Sequence, residues 1–155
     1  LALKDAYSAI EEAKADISGL WALQRLADKG TVSKQIADTM YTTFLASAFR
    51  SIRFGINEAH GSGIALQLNS LLDKGAVVVN GDGTFSIVDG KIRDAVAALT
   101  HDLMTLQAAG DYGAAKALLT KMVQVRPDVQ RVLDRLKDVP VDIAPIFVSA
   151  AADAK

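Results

Sequence analysis

The stretch LKDAYSAIEEAKADISGLWALQRLADKG, residues 3–30, decides the fold class of this chain. Its large apolar residues recur at three-, four- and seven-residue steps and include Leu3, Tyr7, Ile10, Ile17, Leu20 and Trp21. That spacing is the period of an α-helix with one buried face, and Gly30 is suited to end the helix. The stretch therefore predicts a long amphipathic helix at the start of a mainly α-helical chain.

The same helical period continues downstream. Ser33 is a candidate N-cap of a second helix, in which every fourth residue is apolar: Ile36, Met40, Phe44, Ala48 and Ile52. The segment 56–63 contains two glycines and predicts a turn or a kink before the next helix. Further helices are predicted over 64–75, 89–110, 112–123 and from Pro127 onward.

One β-hairpin interrupts the helices. The apolar runs AVVV (76–79) and TFSI (84–87) flank the turn sequence NGDG (80–83), which is a strong hairpin signal. Two strands alone are marginally stable, so we expect the hairpin to pack on the helices. The predicted architecture is a single helical domain over 1–148, with about six helices and one small β-hairpin, followed by a frayed tail over 149–155.

Composition excludes several classes of function. The formal net charge of −1 argues against a nucleic-acid partner and against a membrane surface, and no apolar run approaches the roughly 20 residues that span a bilayer. The absence of cysteine excludes disulfides and thiolate metal sites and is compatible with a cytoplasmic protein. Because the chain begins with Leu1, we expect it to start inside a longer polypeptide or to have been processed.

Three acids in the first helix are candidate functional residues. Glu12 and Asp16 are four residues apart, so they share a helix face, and Glu11 is adjacent. Like charges at that spacing cost about 0.2–0.5 kcal/mol in an isolated helix unless a cation lies between them. The residues alone leave two interpretations open, a solvated acidic patch and a cation site.

The acids lie in a segment with a recognisable pattern. Residues 11–16, EEAKAD, resemble the E-E-C-R-A-E motif of the dipeptidyl-peptidase III family. The resemblance extends over nearly all of the chain through DISGLWAL (16–23), FRSIRFG (49–55), EAH (58–60), LLDKGA (71–76), GDY (110–112) and PVDI (140–143). The chain departs from the motif at Ala13, Lys14 and Asp16, and the shorter Asp16 has less reach than a glutamate.

The resemblance implies a set of roles. Glu12 would be the third protein ligand of a catalytic zinc, whose two histidines come from an H-E-x-x-x-H helix that this chain lacks. Glu11 and Asp16 would hydrogen-bond those histidines. His60 would be an active-site histidine that stabilises the transition state or the substrate, and Gly61 and Gly63 would let a peptide backbone come close.

Some residues depart from these roles or have simpler ones. Members of the family tend to carry an arginine shortly after the active-site histidine, whereas this chain has apolar residues around Ile64. His60 could instead be a partly buried loop histidine that satisfies a backbone group. His101 is interpreted as a structural or solvated residue of the long helix.

Two functional hypotheses follow. In the first, the chain is the C-terminal part of the catalytic lobe of a zinc peptidase, which binds zinc and a peptide substrate in the full-length protein. The chain alone is then expected to be inert, to bind no zinc tightly, and to form a homodimer where the upstream part of the protein is missing. In the second, the chain is a non-catalytic helical interaction or scaffold module. The first hypothesis expects Glu12 and His60 to face one cleft; the second expects Glu12 to be an ordinary solvated acid.

Overall fold

The fold is described here for residues 2–140, from a computed structural model. In this part of the chain, six helices and a two-stranded hairpin follow in the order α1 Tyr7–Asp28, α2 Lys34–Ile52, α3 Ala59–Asp73, β1 Val77–Val79, β2 Phe85–Ile87, α4 Asp89–Ala109, α5 Tyr112–Met122 and α6 Pro127–Arg135. The predicted mainly α class with six helices and one hairpin is confirmed. The predicted boundary at 148, the tail 149–155 and most of the PVDI segment lie outside the described residues.

The first helix packs against α3 and α4 along a single face. Its buried residues on that face are Ile10, Ala13, Ile17 and Leu20. Leu3, the first residue of the predicted periodicity, is buried, but Lys4–Ala6 form a short 3-10 helix and Lys4 has a positive φ of 49°. A left-handed residue interrupts the regular hydrogen-bonding of an α-helix, so α1 begins only at Tyr7.

The central helix α3 differs from the prediction at its beginning. It starts at Ala59 and not near Ile64, so Gly61 and Gly63 lie inside the helix. The Glu58 carboxylate caps it by accepting hydrogen bonds from the backbone N–H groups of His60 and Gly61. From Gly63 to Leu71 every residue is buried, which makes α3 the core of the fold.

The second helix begins as predicted, with the Ser33 hydroxyl 3.4 Å from the Ile36 N–H that it caps. Its predicted apolar stripe is only partly buried: Met40, Ala48 and Ile52 are inside, whereas Ile36 is 44% exposed. A helix has 3.6 residues per turn, so residues at strict four-residue steps drift around the axis and leave the buried face.

The hairpin and the last helices close the structure. Val77, Val78 and Val79 pair antiparallel with Ile87, Ser86 and Phe85, as the turn sequence predicts. The hairpin packs on α2 through an edge-to-face contact of Phe49 with Phe85, whose ring centroids lie 4.9 Å apart. Arg53 at the end of α2 donates hydrogen bonds to the carbonyl oxygens of Leu136 and Val139, which follow α6.

No helix within residues 2–140 has the length and apolar character needed to cross a bilayer.

Candidate functional site

Glu12 and His60 lie together where α1 meets α3. His60 Nδ1 is 3.3 Å from Glu12 Oε2, and the two side chains are 50% and 44% exposed. An ionised carboxylate can only accept hydrogen bonds, so this contact requires the proton on Nδ1 of the imidazole. The ring is thereby oriented by Glu12, and its Nε2 is left for another partner.

Gly63 permits this approach of the two helices. A Cβ atom on Gly63 would lie 2.9 Å from the backbone nitrogen of Ala13, which is closer than real Cβ atoms approach, and 3.1 Å from the Cβ of Glu12, which is a tight contact. A Cβ on Gly61 would collide with the carbonyl oxygen of Gly55. At both glycines the chain's own atoms fill the space that a side chain would occupy, so each glycine serves the packing of the chain on itself.

Asp16 is held by a residue one turn further along α3. Gln67 is fully buried, and its Nε2 donates hydrogen bonds to Asp16 Oδ2 at 3.3 Å and to the Gly63 carbonyl oxygen at 3.1 Å. Both partners are acceptors, so the amide nitrogen must face them, and the opposite amide orientation is excluded. The other amide atom, Gln67 Oε1, is buried without a hydrogen-bond partner in the described part of the chain. An unsatisfied buried acceptor costs about 1–3 kcal/mol.

Glu11 is held from two sides. Lys14 Nζ lies 2.7 Å from its Oε1, and Gln107 of α4 donates a hydrogen bond to its Oε2. The hydrogen bond from Lys14, and after it that from Gln107, lower the pKa of Glu11 below its ordinary value of 4.5. Glu11 is therefore an anion at neutral pH.

Each of the three predicted acids of α1 thus contacts a polar side chain from another helix. His60 and Gln67 reach Glu12 and Asp16 from α3, and Gln107 reaches Glu11 from α4. His60, Gly63 and Gln67 are spaced three and four residues apart, so they share one face of α3. We call Glu11, Glu12 and Asp16 the acid row.

A zinc ion is the metal that the resemblance to the dipeptidyl-peptidase III family implies, and the acid row fits part of its requirements. A carboxylate oxygen is a normal zinc ligand, Glu12 is half-exposed, and its Oε1 makes no hydrogen bond within residues 2–140. In the same residues no group of three histidine, cysteine or acidic side chains could hold a metal by itself. Residues 2–140 therefore hold no complete metal site of their own.

The remaining sequence candidates lie apart from the acid row. His101 is 78% exposed on α4, where its Nδ1 is 3.5 Å from Asp102 Oδ1, which agrees with a solvated role. Ile64 is buried and cannot replace a substrate-binding arginine at the surface. Two surface cavities of about 480 and 500 Å³ lie against the hairpin turn and around Trp21, and neither is lined by Glu12 or His60.

Sequence reasoning missed Gln67 and Gln107. A weak signal for Gln67 existed, since it is seven residues after His60 and four after Gly63 and so shares their helix face. The predicted start of α3 at Ile64 concealed that relation. Gln107 had no such signal, because its contact with Glu11 joins residues 96 apart in the chain.

Comparisons with known proteins agree with this fold. The structure of dipeptidyl-peptidase III from Corallococcus sp. strain EGB is 66% identical in sequence, with a TM-score of 0.92, over 97% of this chain and 28% of that chain. The structure of DPP III from Caldithrix abyssi is 41% identical, with a TM-score of 0.91, over 97% of this chain and 29% of that one. No protein-family model matches the sequence.

A curated relative has a different name. The protein called Nudix hydrolase 3 from Arabidopsis thaliana is 50% identical over 152 residues, which are 97% of this chain and 20% of that protein. Since the match covers only a fifth of the Arabidopsis protein, its name cannot be assigned to the matched part. The chain spans between a fifth and three-tenths of the proteins that it matches. With the two solved structures it shares the fold of a segment of dipeptidyl-peptidase III.

Proposed function

We propose that this chain is the C-terminal part of the catalytic lobe of a zinc-dependent peptidase of the dipeptidyl-peptidase III type. In the full-length protein Glu12 is a zinc ligand, Glu11 and Asp16 hydrogen-bond the zinc-binding histidines, and His60 acts on the substrate. The substrate is a peptide, and the two histidines and the general base belong to an upstream part of the same protein.

The contact of Glu12 with His60 carries this proposal. The two residues are 48 positions apart in sequence, yet their side chains meet at 3.3 Å on an accessible surface. They are also the two residues to which the family motif assigns zinc binding and catalysis.

The chain's own residues support the chemistry of such a site. Bound zinc would supply an activated water molecule at neutral pH. Glu12 would offer the metal its Oε1, while its Oε2 holds Nδ1 of His60 and so fixes the imidazole ring. With its proton on Nδ1, the neutral ring would present Nε2 as an acceptor for an N–H or O–H group of the substrate.

A non-catalytic helical scaffold is the second candidate. Large apolar side chains at least two-fifths exposed favour it, since they could line a docking face: Trp21, Leu26, Ile36, Phe54, Met104 and Val139. The scaffold hypothesis does not account for the meeting of Glu12 and His60, the two residues that the resemblance singles out. We therefore favour the enzyme hypothesis.

The test is made on the full-length protein encoded by the gene. The coding sequence upstream of Leu1 should contain an H-E-x-x-x-H helix, and the purified protein should carry stoichiometric zinc and release dipeptides from peptides. Replacing Glu12→Ala removes a ligand and should weaken zinc binding by more than about 100-fold, as measured by competition with a chelator.

A matched control is Asp102→Ala, which removes an exposed acid that pairs with the other histidine. This variant should keep both zinc and activity. An upstream sequence without paired histidines, or a Glu12→Ala protein with unchanged zinc affinity, would contradict the proposal and favour the scaffold.

A further inference from the structure

We propose that Gln67 is a positioning residue, which holds the carboxylate of Asp16 in the orientation needed to hydrogen-bond a zinc-binding histidine. This inference rests on the proposed function of the acid row. It adds a residue that lies outside the E-E-C-R-A-E-like segment and belongs to a different helix.

The anchoring of the Gln67 amide is the first argument. One N–H of Nε2 is bound to the carbonyl oxygen of Gly63, one turn back on the same helix, and the other reaches Asp16 Oδ2 across the α1–α3 contact. Because the side chain is fully buried and both N–H groups are used, the amide is held in one position. It therefore presents a fixed donor to Asp16.

The unsatisfied atom of the same amide is the second argument. Gln67 Oε1 has no hydrogen-bond partner within residues 2–140, although it is buried. An apolar side chain of the same length would fill the space without burying an unpaired acceptor. Packing alone therefore does not explain a glutamine here, whereas its bond to Asp16 does.

The chemistry of the remaining Asp16 oxygen is the third argument. A neutral amide donor occupies Oδ2 of Asp16 and leaves Oδ1 to accept a hydrogen bond from an imidazole N–H. Gln107 makes the equivalent contact with one oxygen of Glu11. An amide from another helix therefore holds each of the two acids that flank Glu12, and at Glu11 the second oxygen is held by Lys14.

The experiment replaces Gln67→Met in the full-length protein. Methionine has a similar volume, has no N–H donor and removes the unpaired oxygen. We expect zinc affinity, measured by competition with a chelator, to fall by about 10- to 100-fold. The melting temperature of the zinc-free protein should stay the same or rise, which a merely structural role of Gln67 would not produce.

The matched control is Asn69→Leu. Asn69 is a buried amide two residues further along α3, and its Nδ2 donates to the carbonyl oxygens of Met122 and Gln124, away from the acid row. Its loss removes both hydrogen bonds, so the zinc-free melting temperature should fall while zinc affinity is unchanged.

The outcomes separate the two proposals. If Glu12→Ala loses zinc but Gln67→Met binds it as tightly as the unchanged protein, the role of Gln67 is overturned and the proposed function stands. If neither variant loses zinc, the proposed function fails as well. Should Gln67→Met not fold, Gln67→Glu keeps the shape and replaces the donor by an acceptor. Its zinc affinity should then fall at least as much, and an unchanged affinity would overturn the inference.

Discussion

Glu58 shows how a single residue outside the acid row controls the site. It precedes α3, and its carboxylate accepts the backbone N–H of His60 at 2.8 Å and that of Gly61. The bonds from Gly61 and then His60 lower the pKa of Glu58 below its ordinary value of 4.5. The first helical turn, and with it the position of His60, therefore depends on the charge of Glu58.

The variant Glu58→Gln tests this dependence. Because the pKa of Glu58 is lower in the folded than in the unfolded state, its charge stabilises the fold above about pH 4.5, and this contribution is lost as the pH falls through the folded-state value. Glutamine keeps one acceptor and removes the charge. We expect a lower melting temperature than that of the unchanged chain at pH 7, and a difference that shrinks towards pH 3. A difference that is constant over this range would contradict the role of the charge.

At the scale of helices, the contact of α1 with α3 depends on a position without a side chain. The backbone of Ala13 and the Cβ of Glu12 occupy the space where a side chain of Gly63 would begin. By contrast, Gly19 lies exposed within α1 with no atom within 4 Å of an added Cβ. A side chain therefore has no room at Gly63 but has free space at Gly19.

The substitutions Gly63→Ala and Gly19→Ala should have effects of opposite sign. Gly63→Ala forces the helices apart and should lower the free energy of unfolding by about 1–3 kcal/mol. Gly19→Ala adds a good helix former in open space and should raise it by about 0.5–1 kcal/mol. Urea denaturation measures both. A neutral Gly63→Ala would mean that α1 and α3 have room to move without loss of packing.

The same helices show what could be predicted from the sequence. Periodicity identified α1, α2, α4, α5 and α6, and the turn sequence identified the hairpin, because both signals are local. The start of α3 was missed because a glycine inside a helix is unfavourable by itself, and only the contact with α1 explains why Gly63 is there.

The site was predictable to a different extent. The family pattern singled out Glu12 and His60, and the structure brings their side chains together. The pattern could not reveal Gln67 or Gln107, because each binds an acid on another helix. Gln67 is 51 positions from Asp16, and Gln107 is 96 positions from Glu11. Such pairs depend on how two helices pack against each other, and the spacing of residues within one helix does not predict that packing.

At the scale of the whole molecule, apolar side chains remain uncovered. Trp21 and Leu26 near the end of α1 are 40% and 41% exposed, and with Arg25 they line a surface cavity of about 500 Å³. In a longer protein we expect this surface to be covered by the upstream part. When the chain is isolated, we expect a second copy of it to cover this surface.

We therefore expect the isolated chain to form a homodimer that Trp21→Gln and Leu26→Gln together weaken. Burial of apolar surface would drive the association, and the two substitutions remove part of that surface. Analytical ultracentrifugation over a range of concentrations measures the effect. A chain that sediments as a monomer at every concentration would contradict the expectation.

The contact between α1 and α3 also bears on how such proteins can change in length. Glu12 and His60 are 48 positions apart in the chain, and the whole of α2 lies in the segment between them. The entropic cost of closing a loop grows only logarithmically, so doubling its length costs about 0.6 kcal/mol. Insertions beside α2 are therefore compatible with an unchanged pairing of Glu12 and His60, provided that α2 keeps its buried face. The segment between Glu12 and His60 can therefore change in length during evolution while the two side chains stay in contact.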